Sequence, residues 1–212
     1  VEPTDEELVE KFRATADMGI FKILVRRYQS RIFAIALRTL GNNEEAEEAV
    51  QETFVKVHQN LPKYRKNALF SSWLFRIAYN QCMDTLRMKQ RRLDHQTIAF
   101  DPQSAAGEDA SSEGRDTVFQ LAASTPDPAQ TMDMREQFEI VQESLNQLPE
   151  SQKVVLILHD MQDFSYQEIS EIVGTSIGTV RSRLHYGRLK LKELLAPYFS
   201  DSSSLNSPLT AR

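Results

Sequence analysis

Between Thr179 and Lys192 the chain carries five Lys and Arg residues and no acid. Within that run Val180, Leu184, Leu191 and Leu194 recur at helical spacing, which leaves Arg181, Ser182, His185 and Tyr186 on the opposite side. Arginine forks onto guanine edges, and hydroxyl and imidazole groups add adaptable hydrogen bonds. Arg183, Arg188 and Lys190 are placed to meet phosphates. Upstream, Ser165 can cap a short helix bearing Ile169, Ile172 and Val173. Gly174 breaks that helix, Thr175 and Ser176 make a turn, and a second helix starts near Ile177. Two short helices about a glycine turn form a helix-turn-helix, whose second helix packs one face and offers the other to a major groove. The plain alternative is an amphipathic helix with a solvated basic face; turn, length and charge together favour DNA.

A second set of residues suits single-stranded nucleic acid. Tyr64, Phe70, Trp73, Phe75 and Tyr79 alternate with Lys63, Arg65, Lys66, Arg76 and Arg87. Ring faces stack bases and cations meet phosphates. Phe70, Trp73, Leu74 and Ile77 also stand at helical spacing, which favours core for that stripe and leaves Arg76, Asn80 and Arg87 for contact. A third surface has the opposite sign: Glu44, Glu45, Glu47, Glu48 and Glu52 crowd one helix. Such a face is solvated or docks a basic partner helix.

Nothing points to intrinsic catalysis. His58, His95, His159 and His185 form no close pair at ligand spacing, and with Cys82 they give no zinc pattern, so no metal or cofactor is expected. No nucleophile elbow, phosphate loop or dinucleotide fingerprint occurs. Asp160 and Asp163 read as capping or solvent-facing residues near a helix end.

The elements that must carry these residues are helices. The chain has 212 residues, with no glycine between Gly41 and Gly107 and no proline between Pro62 and Pro102. No window alternates β-branched residues, so the expectation is an all-α fold of two small helical domains joined by a long flexible acidic linker. Helices are expected near Asp5 to Thr15, Ile20 to Leu40, Glu44 to Asn60 and Phe70 to Arg92, making a first domain over residues 1–93. The linker is placed at 94–131, a second domain at 132–199 and a disordered tail at 200–212. The net charge of −5 at first argues against DNA, but its distribution reverses that. Lys63 to Arg92 holds eight cations and one acid (+7), while Asp94 to Asp133 holds eight acids and one cation (−7). Acidic opening residues argue against a secretory signal, and no apolar run is long enough to span a bilayer. A lone buried Cys82 fits a reducing compartment, so a soluble cytoplasmic protein without membrane insertion is expected.

Three segments, in order, resemble the extracytoplasmic-function (ECF) class of bacterial RNA polymerase sigma factors. Glu45-Ala46-Glu47-Glu48-Ala49-Val50-Gln51-Glu52-Thr53-Phe54 is similar to their polymerase-binding segment. Ser72-Trp73-Leu74-Phe75-Arg76-Ile77-Ala78-Tyr79-Asn80 resembles the segment that melts and reads the −10 element. Leu148-Pro149 with Gly178-Thr179-Val180-Arg181-Ser182-Arg183-Leu184 resembles the −35-reading domain. The resemblance covers about residues 5–92 and 133–197.

The resemblance implies a promoter-specific initiation factor, in a stress or envelope response, working with the β′ and β subunits of core polymerase, promoter DNA and an anti-sigma factor. Glu48, Gln51 and Glu52 would dock on a coiled coil of β′. The loop from Lys63 through Arg65, Lys66 and Asn67 to Ser71 would hold an unstacked −10 base, with Arg76, Asn80 and Arg87 gripping the melted strand and adjacent duplex. Arg181, Ser182, His185 and Tyr186 would read the −35 groove. Lys66 stands where members often carry Gly, and Asn67 near where they carry an acid, so the base preference of the loop does not follow. Two rival readings are a stand-alone DNA-binding regulator whose first block senses a ligand or dimerises, and an adaptor that mimics such a factor without binding DNA. The 39 residues from Leu93 to Thr131 would average about 31–37 Å as a free coil, against a contour limit of about 130 Å. Their acids Asp101, Glu108, Asp109, Glu113 and Asp116 suit a basic channel, and the resemblance implies a route through the polymerase cleft.

Overall fold

A computed structural model describes residues 3–65, 69–98 and 128–199. The expectations for Lys66, Asn67, the linker over 99–127 and the tail over 200–212 lie outside the described residues. Among the described residues the fold is all-α, with no strand.

Helix α1 spans Asp5–Thr15 and starts at a reciprocal cap between Thr4 and Glu7. Helix α2, Met18–Leu40, begins two residues before the expected start because Asp17 caps it, accepting from the Gly19 amide. Gly41, at φ +75°, ends it. Asn42 caps α3, Asn43–Asn60, which runs into a 3-10 turn at Leu61–Lys63. Helix α4, Phe70–Ile98, is the longest and continues past Arg92 into the stretch expected to be linker. No breaker interrupts Leu93 to Ile98, and Gln90 donates to Asp94 one turn on. The α1–α2 joint is polar: Arg27 and the Tyr28 hydroxyl both bond the Asp5 carboxylate. Burial and that carboxylate raise the Tyr28 pKa well above the ordinary tyrosine value.

Helix α5, Pro128–Asn146, starts four residues before the expected domain, with proline at the first position, where its missing N–H costs nothing. Helix α6, Glu150–Leu156, passes into a π-helical turn at Ile157–Met161. Then come α7, Tyr166–Val173, and α8, Ile177–Phe199.

The two blocks do not stand apart. They share one apolar core, in which Leu74 and Phe75 of α4 and Phe164, Ile169 and Ile172 of the second block are all buried. Phe75 and Phe164 meet edge to face, 4.8 Å between centroids. The Arg31 guanidinium lies 5.0 Å from one ring and 5.2 Å from the other, and donates to the Gln162 carbonyl at 3.0 Å. At the other end of the seam the second block caps α2. The Lys153 ammonium, buried, donates to the Thr39 carbonyl at 2.9 Å, and Gln142 donates to the Arg38 carbonyl at 3.1 Å. Those carbonyls belong to the last turn of α2, where orphan acceptors and the negative end of the helix dipole favour a cation. Burial lowers the Lys153 pKa.

Candidate nucleic-acid and polymerase interfaces

The helix-turn-helix forms as its residues dictate. Ser165 accepts from the Glu168 amide and Glu168 reaches back to the Ser165 amide, so α7 is capped by a reciprocal pair. Gly174, at φ +72°, closes the helix with its amide bonded to Ser170. The Ser176 side chain accepts from the Thr179 amide at the start of α8. Val180, Leu184 and Gly187 face inward, and Leu191 and Leu194 are half-buried. A side chain at Gly187 would meet Gln152 and Leu156 of α6 at 3.5–3.6 Å, ordinary contact distance.

Arg181, Ser182, His185 and Tyr186 are exposed on one side of α8, Tyr186 at 61%. Ser182 donates to the Thr179 carbonyl, and the His185 and Tyr186 rings meet edge to face at 5.4 Å. Lys190 is exposed and bonds Glu193 at 3.3 Å. The other two cations differ from their expected setting. Arg188 forks onto Asp160 of the π turn, with one bond at 2.9 Å, and this partner holds its pKa above the usual arginine value. Asp160 is therefore an ion-pair partner rather than a cap or a solvated acid. Arg183 is half-buried and lies close enough to Tyr79 of α4 for its charge to favour the phenolate. Burial outweighs that effect and raises the Tyr79 pKa.

In the first block most of the aromatic set is core. Tyr64, Phe70 and Phe75 are buried, and their rings pack with Tyr28 and Trp73 at centroid distances of 5.1–5.9 Å. Trp73 and Tyr79 keep partial exposure. Lys63, Arg65, Arg76, Asn80 and Arg87 are exposed, and Ser71 is half-buried. Arg76, Asn80, Asp84 and Arg87 form one strip along α4, in which Arg87 bonds Asp84 at 2.9 Å. Among the described residues stacking platforms are therefore fewer than the sequence offers, while Lys63, Arg65, Arg76 and Arg87 are exposed.

Helix α3 shows its acids outward. Glu48, Gln51 and Glu52 are exposed within one turn, beside Val55 at 49% exposure. Glu45 is instead tied to Lys89 of α4 at 3.0 Å. Beneath this face Ala46, Ala49, Thr53, Phe54 and Val57 are buried, with Val50 half-buried. Among the described residues no group of His, Cys, Asp and Glu could hold a metal, and no helix is long and apolar enough to cross a membrane.

An acidic helix, a basic strip on the next helix and a helix-turn-helix, in that order, are the parts of a sigma-70-type factor, and the comparisons agree. Sigma-70 region 2 matches residues 24–92 and sigma-70 region 4 matches residues 138–191. The ECF RNA polymerase sigma factor SigE of Mycolicibacterium smegmatis is 31% identical over 207 residues, covering 96% of this chain and 74% of that one. SigW of Bacillus subtilis is 31% identical over 179 residues, covering 84% and 90%. The sigma factor RpoE of Bartonella quintana, solved with the anti-sigma factor NepR, superposes with a TM-score of 0.60 at 24% identity, over 82% of this chain and 96% of that one. CnrH, solved with the cytosolic domain of CnrY, does so with a TM-score of 0.60 at 22% identity, over 90% and 96%. At those identities the structural likeness is one of fold. The chain belongs to the ECF sigma factors, and its function is to direct promoter-specific transcription initiation. It is a DNA-binding initiation factor rather than an enzyme in the ordinary sense.

Sequence alone leaves Tyr166 without a role and makes Asp160 only a cap or a solvated acid. Their importance depends on the π turn at Ile157–Met161, which hydrophobic periodicity does not reveal. Lys153 escaped for a related reason: a lysine beside an apolar run reads as surface until a carbonyl from another block is found over it.

Proposed function

We propose that residues 1–93 bind core polymerase and the −10 element, 132–199 read the −35 element, 94–131 tether the two, and 200–212 form a tail. The carrying observation is the single exposed face of α8, where Arg181, Ser182, His185 and Tyr186 stand together opposite a buried stripe. Arg181 supplies bidentate base contact, and Ser182, His185 and Tyr186 supply adaptable ones. Arg183 and Lys190 serve phosphates, while Arg188 is held on Asp160. Lys63, Arg65, Lys66, Asn67 and Ser71 frame a −10 base, while Arg76, Asn80 and Arg87 hold the strand. Glu48, Gln51 and Glu52 meet a basic surface of the polymerase β′ subunit. Phosphodiester chemistry belongs to the polymerase, and the protein acts in the cytoplasm beside it.

The packed arrangement adds a condition. Two promoter elements about two and a half turns apart are separated by roughly 85 Å. Blocks that share a core cannot occupy both at once. Initiation therefore requires the seam through Phe75, Phe164, Arg31 and Lys153 to part, and the acidic tether then spans the gap. An anti-sigma protein that holds the blocks together would keep the factor silent. Relatives of this fold solved with anti-sigma partners support that assignment.

Run-off transcription with bacterial core polymerase on a library randomised at both elements tests the reading. Enrichment of paired elements at fixed spacing is the expected result. Stable core binding without promoter selection would favour an adaptor, and failure to bind core a stand-alone regulator.

A further inference from the structure

The base-reading side of α8 rests on a cluster assembled from three elements. Tyr166, the first residue of α7, lies under Arg181, whose guanidinium carbon is 5.8 Å from the ring centroid. His159 of the π turn meets the edge of the same ring at 4.8 Å. The Arg188 guanidinium is forked onto Asp160 and lies near the Tyr166 hydroxyl. His159 Nδ1 stands 3.6 Å from Asp160 Oδ1, which closes the ring of contacts. Two adjacent turns of α8 are thus braced from below by the π turn and the start of α7, and π turns recur at functional sites.

We propose that Tyr166 is a positioning residue for base recognition: its ring fixes the orientation of Arg181, and the Asp160–Arg188 pair fixes the ring. This rests on the reading of Arg181 as a base contact. An exposed arginine samples many rotamers, and a fork that meets both acceptors of one guanine must give most of them up. A guanidinium already resting on a ring has surrendered part of that freedom before DNA arrives. It is also less able to swing toward a wrong base. The effect therefore falls on preference at one base pair more than on affinity everywhere. It also assigns Arg188 a bracing role, which its carboxylate partner supports better than a free phosphate contact.

The experiment uses the full chain with bacterial core polymerase on templates varied one −35 base pair at a time. Arg181→Ala should flatten preference at one position. Tyr166→Leu, which keeps bulk without an aromatic face, should reduce preference at that same position about two- to fivefold, the weight of a cation–π contact at an exposed site. Tyr166→Phe keeps the ring and should restore most of it. In the Arg181→Ala background Tyr166→Leu should add nothing at that position. Asp160→Asn, which sets Arg188 loose without touching the ring, should weaken the same preference and no other, and serves if Tyr166→Leu misfolds. Equal weakening on all templates, or an effect that persists without Arg181, overturns the positioning role. If Arg181→Ala leaves every preference intact, the base-contact reading itself falls, and the positioning role with it.

Discussion

Helices α4 and α8 carry the two candidate nucleic-acid surfaces of the molecule, and they are buried very differently. Along α4, Phe70, Leu74, Phe75, Ala78, Cys82 and Met83 are inside, because α2 and α3 pack on one flank and α7 on another. Up to Arg87 what remains outward is the strip of Arg76, Asn80, Asp84 and Arg87, interrupted by an acid, and from Met88 to Asp94 the helix is exposed all round. Helix α8 buries little beyond Val180, Leu184 and Gly187, and keeps a broad polar side. A helix at the centre of a bundle can spare only a narrow stripe for a ligand, and a helix at the rim can offer half its circumference. Base reading by many side chains therefore suits α8. The first block must combine its strip with the neighbouring loop and with the acidic face of α3.

The largest effect that would sharpen the contrast lies on α3, which binds a partner and not DNA. Glu48→Lys with Glu52→Lys should abolish capture of core polymerase at moderate salt while helical circular dichroism stays unchanged. Capture that persists would break the assignment of the acidic face. Next comes the flank of α4 that the second block covers. Phe164→Ala removes a buried ring from the seam and should cost about 3–5 kcal/mol. In chemical denaturation one transition should become two as the blocks uncouple. A single transition at the original midpoint would show that the seam adds nothing to stability.

On α8, Arg181→Ala should lose about 1–3 kcal/mol of discrimination at one −35 position. Lys190→Ala should weaken all templates evenly and reduce the salt dependence of binding. Matching profiles for the two variants would erase the division between base and phosphate contacts. The smallest effect concerns the buried face of α4. Burial disfavours the Cys82 thiolate and pushes its pKa up to about 12. The folded protein should therefore resist alkylation at pH 8 and react only on unfolding or as pH approaches that value. Rapid labelling of the native chain at pH 8 would show that α4 is more open than its packing implies.

Much of this was legible beforehand, and the reason is local. Capping and stop signals such as Gly41, Ser165 and Gly174 act within one turn, so the helix order and the helix-turn-helix follow from the chain alone. The buried stripe of α8 follows in the same way, since periodicity assigns one side inward whatever it packs against. Helices α4 and α5 run into the stretch that composition marks as linker, because composition does not fix where a helix ends. Spacing puts Trp73 and not Phe75 in the core stripe of the first block, but the arrival of Tyr28 and Phe164 buries Phe75 while Trp73 stays half-buried.

What the sequence determined by itself is the helical fold, the sign of each surface and the reading face of α8, all set by spacing and charge within single helices. The tertiary structure alone decided that the two blocks share a core, that Lys153 caps α2, and that Arg188 pairs with Asp160 of the π turn. Each of those depends on groups far apart in the chain, up to 131 positions for Arg31 and Gln162. A hydrogen-bond partner at that separation leaves no periodic trace in sequence, because its position is fixed by how whole helices pack and not by the pitch of any one of them.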